Sequence, residues 1–182
     1  MKVKYKVHPV LVLALTFLIN ISFACTEGDK KSSDRGGVFD MKALTSSGEK
    51  LDIKALTASG EKLDVKAFAG AKDVLDIKAL TAAGEKLDVK AFKIKGDVFD
   101  IKALTPSGEK LAIKAFNASG KKLDVKAFKT KGDILDIKAL TPDGKKLDVK
   151  TYTPSGEVLP VKAMVGPKGD VLNVKALKDL EK

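Results

Sequence analysis

Histidine and cysteine, on which much acid–base, nucleophilic and transition-metal chemistry rests, occur once each in these 182 residues. The histidine is His8, inside an apolar leader, so the rest of the chain has no imidazole for general acid–base work or metal binding. A single cysteine, Cys25, excludes an internal disulfide and a thiolate zinc cluster. Tryptophan is absent, arginine occurs only as Arg35, and aromatics make up 5% of the chain. A stacking row for single-stranded nucleic acid is therefore missing, and lysines that alternate with aspartates cancel one another's field. P-loop, Gly-x-Ser-x-Gly and dinucleotide fingerprints do not occur. The acidic residues are separated by lysine and build no loop of several oxygens for calcium. No enzyme activity, metal or cofactor is expected.

What is present begins with an address. Lys2, Lys4 and Lys6 precede an apolar run from Val10 to Ile19, and small residues follow before Cys25. The run is shorter than the ~20 residues that span a bilayer, so residues 1–24 are expected to be a signal peptide. Cleavage after Ser22-Phe23-Ala24 would leave Cys25 first, an arrangement that resembles a bacterial lipoprotein lipobox. Such boxes usually carry Leu where Ser22 stands and a small residue where Phe23 stands. Cys25 is accordingly the expected lipid attachment site, with plain secretion as the alternative. Residues 25–37 read as the lipidated Cys and a flexible polar tether. Removing 1–24 takes three of the 34 basic residues and none of the 24 acidic ones, leaving a mildly basic protein.

From Val38 to the end the chain is one repeat domain, 38–182. A core of apolar, Asp, Val or Ile, Lys and a small residue returns every twelve residues, at Asp40, Asp52, Asp64, Asp76, Asp88, Asp100, Ala112, Asp124, Asp136, Asp148 and Pro160, and then at Asn173. A longer period overlies it: residues 38–97 match 98–157 almost position for position, and 158–182 supply two further units. Twelve units fill the domain, so the repeat is the fold.

Each unit alternates apolar with charged, the period of a strand exposed on one face. Between units stand turns such as Thr141-Pro142-Asp143-Gly144, in which Pro presets a type I turn and Gly supplies the positive φ of a bulged hairpin. That geometry sets Thr141 opposite Lys145. It then predicts Ala139 facing Leu147, Ile137 facing Val149 and Leu135 facing Thr151 on one face. On the other it predicts two register pairs, Lys138 with Asp148 and Asp136 with Lys150. The first turn likewise pairs Lys42 with Asp52 and Asp40 with Lys54. Phe68–Val74, Phe92–Val98, Phe128–Ile134 and Tyr152–Val158 are expected to face each other near strand ends.

The fold class is all-β: an antiparallel meander of about twelve short strands in a folded or strongly twisted sheet. An up-and-down barrel is the first alternative, although hairpins without stagger give no shear. A β-solenoid is the second, but stacking equivalent positions would set Asp on Asp and Lys on Lys. Pro160 lacks a ladder donor and points to a strand at or near an edge.

The recurring LDVKAF and LDIKAL units behind a lipobox-like start resemble uncharacterised repeat-containing envelope lipoproteins of Bacteroidota, of the flavobacterial type. The resemblance implies an envelope address and no known activity. The expected function is a non-enzymatic bacterial envelope lipoprotein serving as a β-sheet scaffold or surface interaction and adhesion module. It would be lipid-anchored at the outer membrane or cell surface, with a secreted or periplasmic location as the alternative. A carrier of a hydrophobic ligand is the rival function, if the Leu/Val/Ala face lines a cavity. Expected partners are the membrane, through the lipidated N-terminus, and an anionic polysaccharide or another envelope protein. Nucleic acid is not among them, and open sheet edges would favour self-association.

Overall fold

The computed structural model describes residues 37–70, 74–164 and 169–177, all within the compact unit Ser32–Lys182. The expected signal peptide, Cys25 and nearly all of the tether lie outside the described residues. Twelve strands follow one another: β1 (Val38–Leu44), β2 (Lys50–Leu56), β3 (Lys62–Ala69), β4 (Val74–Leu80), β5 (Lys86–Lys95), β6 (Val98–Leu104), β7 (Lys110–Phe116), β8 (Lys122–Lys131), β9 (Ile134–Leu140), β10 (Lys146–Tyr152), β11 (Val158–Met164) and β12 (Val171–Leu177). All belong to one sheet.

The tight turns form as their sequence dictates. The Thr141 N–H donates to the Lys145 carbonyl at 3.0 Å and the Gly144 N–H to the Thr141 carbonyl at 2.9 Å. Gly144 sits at φ 82°, in the left-handed region where a Cβ is costly. Every consecutive pair of strands is hydrogen-bonded and antiparallel, so the chain is a meander, and seven further pairings are superposed on it.

Those extra pairings give each strand three partners. β1 is typical: Lys42–Leu44 pair with Lys50–Asp52 of β2, Val38–Asp40 pair with Lys66–Phe68 of β3, and the other side runs along β10. β1, β2 and β3 thus meet in a three-way junction, as do β4, β5 and β12, then β6, β7 and β8, then β9, β10 and β11. Six longer ribbons join these four junctions in every pairwise combination: β1–β10, β2–β7, β3–β4, β5–β6, β8–β9 and β11–β12. Four junctions and six ribbons have the connectivity of a tetrahedron's corners and edges. The meander therefore closes on itself. All its ladders are antiparallel, unlike a solenoid's, and a strand with three partners does not belong to the single ring of an up-and-down barrel.

The three-partner rule corrects several expected pairs. A hairpin closed by a Thr-x-x-Gly or Asn-x-x-Gly turn stays zipped for three residue pairs only, after which each strand passes to a different neighbour. Lys138 stands opposite Asp148, but Asp136 faces Lys162 and not Lys150, Leu135 faces Ala163, and Lys150 faces Pro160. Ile137 likewise faces Ala127, Val149 faces Ala43, and Asp40 faces Lys66 and not Lys54. Tyr152 faces Val158, whereas Phe68 faces Val38, Phe92 faces Val171 and Phe128 faces Val98. Pro160 is not on an edge strand, since β11 has neighbours on both sides. It stands where the β11–β12 ladder stops, one residue before Val161, so its missing N–H costs no ribbon bond. Self-association through open edges finds no strand with a free side among the described residues.

The inward positions of all twelve strands form one core of thirty-five apolar side chains. Leu75, Leu135, Leu159 and Leu172 are among its largest fully buried members. None of the thirty-five is more than 9% exposed, whereas a water-sized lumen would leave its lining accessible. The face that would have lined a carrier's cavity is filled by its own side chains.

One polar atom interrupts this core. Thr151 occupies the position that is Ala in the other eleven strands, is 0% exposed, and its Oγ1 has no hydrogen-bond partner among the described residues. A buried hydroxyl left unpaired costs about 1–3 kcal/mol. Thr151→Val, which keeps the shape, is expected to raise unfolding free energy by about 1–2 kcal/mol in urea titrations. An unchanged or lowered midpoint would show that the hydroxyl is satisfied.

Candidate interaction surface

The outward face of nine of the twelve strands carries Asp, then Lys two residues on, at the point where the strand changes partner; β7, β11 and β12 carry Ala112, Pro160 and Asn173 in place of the Asp. Alternation puts both side chains outside, and the junction brings the Lys of one strand against the Asp of the next. At the β1–β2–β3 junction the exchange is cyclic. Lys42 donates to Asp52, Lys54 to Asp64, and Lys66 back to Asp40. The other three junctions each lack one carboxylate. Lys90 donates instead to the Asn173 Oδ1 at 2.7 Å. Lys102 faces Ala112, and its Nζ has the same-strand Asp100 at 3.8 Å. Lys150 faces Pro160, with the same-strand Asp148 at 4.0 Å.

All nine repeat aspartates, from Asp40 to Asp148, accept a hydrogen bond from a lysine of another strand. The six ribbons, by contrast, set Lys opposite Lys: Lys42 faces Lys150, Lys54 faces Lys114, and Lys66 faces Lys78. The like-charge contact used above against stacked repeats is therefore built into this fold. It is tolerated because most of these lysines have a carboxylate on the junction side.

These pairs leave a mark on the carboxyls. Hydrogen bonds from Lys66, Lys54, Lys78 and Lys114 hold Asp40, Asp64, Asp88 and Asp124 below the usual carboxylate value. Burial pushes Asp136 up, but Lys162 and Lys138 together outweigh it and its carboxyl is also lowered. Lys66 is raised by its bond to Asp40. Burial pulls Lys138 down, yet Asp148 and Asp136 leave it raised. Burial alone raises Tyr152.

A second set of lysines covers rings near the strand ends. Lys50 lies 4.1 Å from the centre of Tyr152, Lys62 4.4 Å from Phe116, Lys86 4.1 Å from Phe68, Lys110 4.3 Å from Phe92 and Lys146 4.0 Å from Phe128. Each pair bridges a tight hairpin and the neighbouring ribbon, so the ring is shielded from water while the ammonium stays wet. The same lysines face Leu44, Leu56, Leu80, Leu104 and Leu140 across the hairpins, a pattern readable in the repeat that gives the hairpin partner but not the ring beyond it.

Asp136, Lys138, Asp148 and Lys150 all come to one junction, where with Pro160 and Lys162 they line a depression of about 160 Å³. Its chemistry is that of an ionic lattice: ammonium groups and carboxylates already bonded to each other, with no nucleophile beside a base. Among the described residues no group of three or more His, Cys, Asp or Glu side chains is placed to hold a metal ion.

The lattice should respond to pH at its two ends only. The lowered Asp groups contribute stability above their unfolded pKa of about 3.9, and that contribution is lost as pH falls through the folded values. The raised Lys66 and Lys138 contribute below about 10.4 and lose it as pH rises through theirs. Urea midpoints are thus expected to be flat from about pH 5 to 9 and to fall on either side. A midpoint that moved strongly between pH 6 and 8 would contradict this. Each exposed pair is worth only about 0.2–1 kcal/mol, so high salt should lower the plateau slightly.

A family of unknown function (DUF7486) matches this sequence over residues 30–98 and again over 65–180. The two matches overlap and start about three repeats apart, as a repeat array allows. No curated protein and no solved structure matches the chain.

Proposed function

Because the chain belongs to this family of unknown function, its role must come from its own residues, and we propose a non-enzymatic bacterial envelope lipoprotein. In this reading the closed β-body is a rigid scaffold that presents its outer face to partners. The observation that carries it is the complete engagement of the repeat aspartates with lysines of other strands. Carboxylates used in this way hold the register and are not available as an acid–base pair, while the inner face is filled. What remains for function is the surface.

The address rests on Lys2, Lys4 and Lys6, the apolar run to Ile19 and Cys25 at the cleavage boundary. With the likeness of the LDVKAF units to Bacteroidota envelope lipoproteins, these support the reading of a protein at the outer membrane or cell surface, held by an acyl group on Cys25. A single chain gives marginal anchoring and two or more give stable anchoring, so full acylation of the terminus is required.

Labelling of expressing bacteria with a clickable palmitate analogue tests the address. The protein is expected to take up label and to fractionate with the envelope, and Cys25→Ser to lose the label completely and leave that fraction. Label retained by the Cys25→Ser variant, or a wild-type protein found unlabelled in the medium, would contradict the lipoprotein reading.

A further inference from the structure

The connections that leave a junction differ from those that stay within one, and they gather at one place. Lys-Gly-Asp occurs three times, at 95–97, 131–133 and 168–170, each time before the Val or Ile that opens a strand. The Lys93 N–H donates to the Asp170 carbonyl at 3.1 Å, and the Lys129 N–H donates to the Asp97 carbonyl at 3.1 Å. The end of β5 is therefore bonded to the turn before β12, and the turn after β5 to the end of β8. Ile134, which opens β9, faces Met164 at the end of β11 and completes the circuit. Residues 165–168 lie outside the described residues and form no part of the site.

This corner differs chemically from the rest of the surface. Lys93, Lys95 and Lys129 are exposed. They make no ion pair and cover no ring among the described residues, whereas the repeat lysines are mostly committed to carboxylates and five others to rings. Ile94 and Val171, 51% and 44% exposed, are two of the four large apolar side chains that stand out to solvent among the described residues, and Val171 faces Phe92 beside them. Asp97, Asp133 and Asp170 are exposed on the same turns. The chain enters the body elsewhere, at Gly37, whose carbonyl accepts from Ala69.

We propose that this corner is a binding site for an acidic polysaccharide, a polyuronate in chemical class. Free ammonium groups at the ends of two neighbouring strands, Lys93 and Lys95 of β5 and Lys129 of β8, match a polymer with one carboxylate per sugar, and contacts on both strands at once add through effective concentration. The Ile94 and Val171 side chains offer a surface for sugar C–H faces. The turn carboxylates can accept bonds from sugar hydroxyls. A bilayer fits less well, because two apolar side chains insert little area. The proposal rests on the surface-module reading above and names its partner.

The test is isothermal titration of the full mature chain carrying Cys25→Ser, which removes the acyl group, with a polygalacturonate fragment at low salt. Binding is expected, with uncharged dextran giving none. Lys93→Ala, Lys95→Ala and Lys129→Ala together should weaken it at least about tenfold with an unchanged thermal melt. Lys121→Ala with Lys122→Ala, equally exposed on another turn, should change it less than about twofold. Absence of polygalacturonate binding overturns the proposal, as does equal loss in both variants, which would be a bulk charge effect. Capture by phosphatidylglycerol vesicles with the same lysine dependence, and none by polygalacturonate, would assign the corner to a lipid surface instead. None of these outcomes depends on palmitate labelling, so failure here leaves the lipoprotein address standing, and failure there leaves this site standing.

Discussion

Each seven-residue strand in this protein serves two neighbours on one side. At its midpoint it leaves one partner and takes another, and the outward Asp and Lys stand at that point. Followed along the chain, the Asp accepts from the partner being left, as Asp40 does from Lys66, and the Lys donates to the partner being joined, as Lys42 does to Asp52. Everything else follows from that hand-over. It turns a meander into a surface with no free side, it lets twelve short strands enclose one core, and it consumes the carboxylates. Closure without the shear of a barrel is achieved because a strand shared between two neighbours bends the sheet at a junction, where a barrel would stagger its register.

The number of repeats is explained by the same constraint. The first five strands complete the β1–β2–β3 junction and begin a second with β4 and β5. The duplicated block does the same with β6–β7–β8 and with β9 and β10. Two junctions are then left one strand short, and the two terminal units fill them: β11 joins β9 and β10, while β12 joins β4 and β5. Connection type follows the path. Thr-x-x-Gly turns such as Thr45–Gly48 keep the chain within a junction, and the differently built connections after β3, β5, β8 and β11 carry it along a ribbon to the next.

The local part of this was legible in the residues. Alternation, the Thr141–Gly144 turn and the Lys138–Asp148 pairing are decided within twelve residues of chain. The closing pairs were not legible, because the repeat is too uniform: Asp136 is as good a partner for Lys150 as for Lys162, and Leu135 packs as well on Thr151 as on Ala163. Pairwise complementarity cannot choose between equivalent partners. The clue lay in covariation at strand ends, where Val38, Val98 and Val171 answer Phe68, Phe128 and Phe92, each on a strand not next in sequence. The surface site was hidden for a related reason, since the Lys-Gly-Asp turns lie far apart in sequence and meet only once the junctions are assigned.

A filled, closed body with an ionic outer lattice holds its fold without disulfides and offers no open edge to pair with its neighbours, as the proposed envelope role would require. That account stands on the hand-over, and on the long-range β2–β7 ribbon in particular. Leu56 and Ala112 are directly opposed on its outer face, at a spacing a disulfide can bridge. The decisive measurement is therefore disulfide formation in a Cys25→Ser chain carrying Leu56→Cys and Ala112→Cys. Rapid, near-complete intramolecular oxidation with a raised melting temperature is predicted. Thiols that stay free in the folded protein, or that link only between molecules, would show an open meander and contradict the closed sheet.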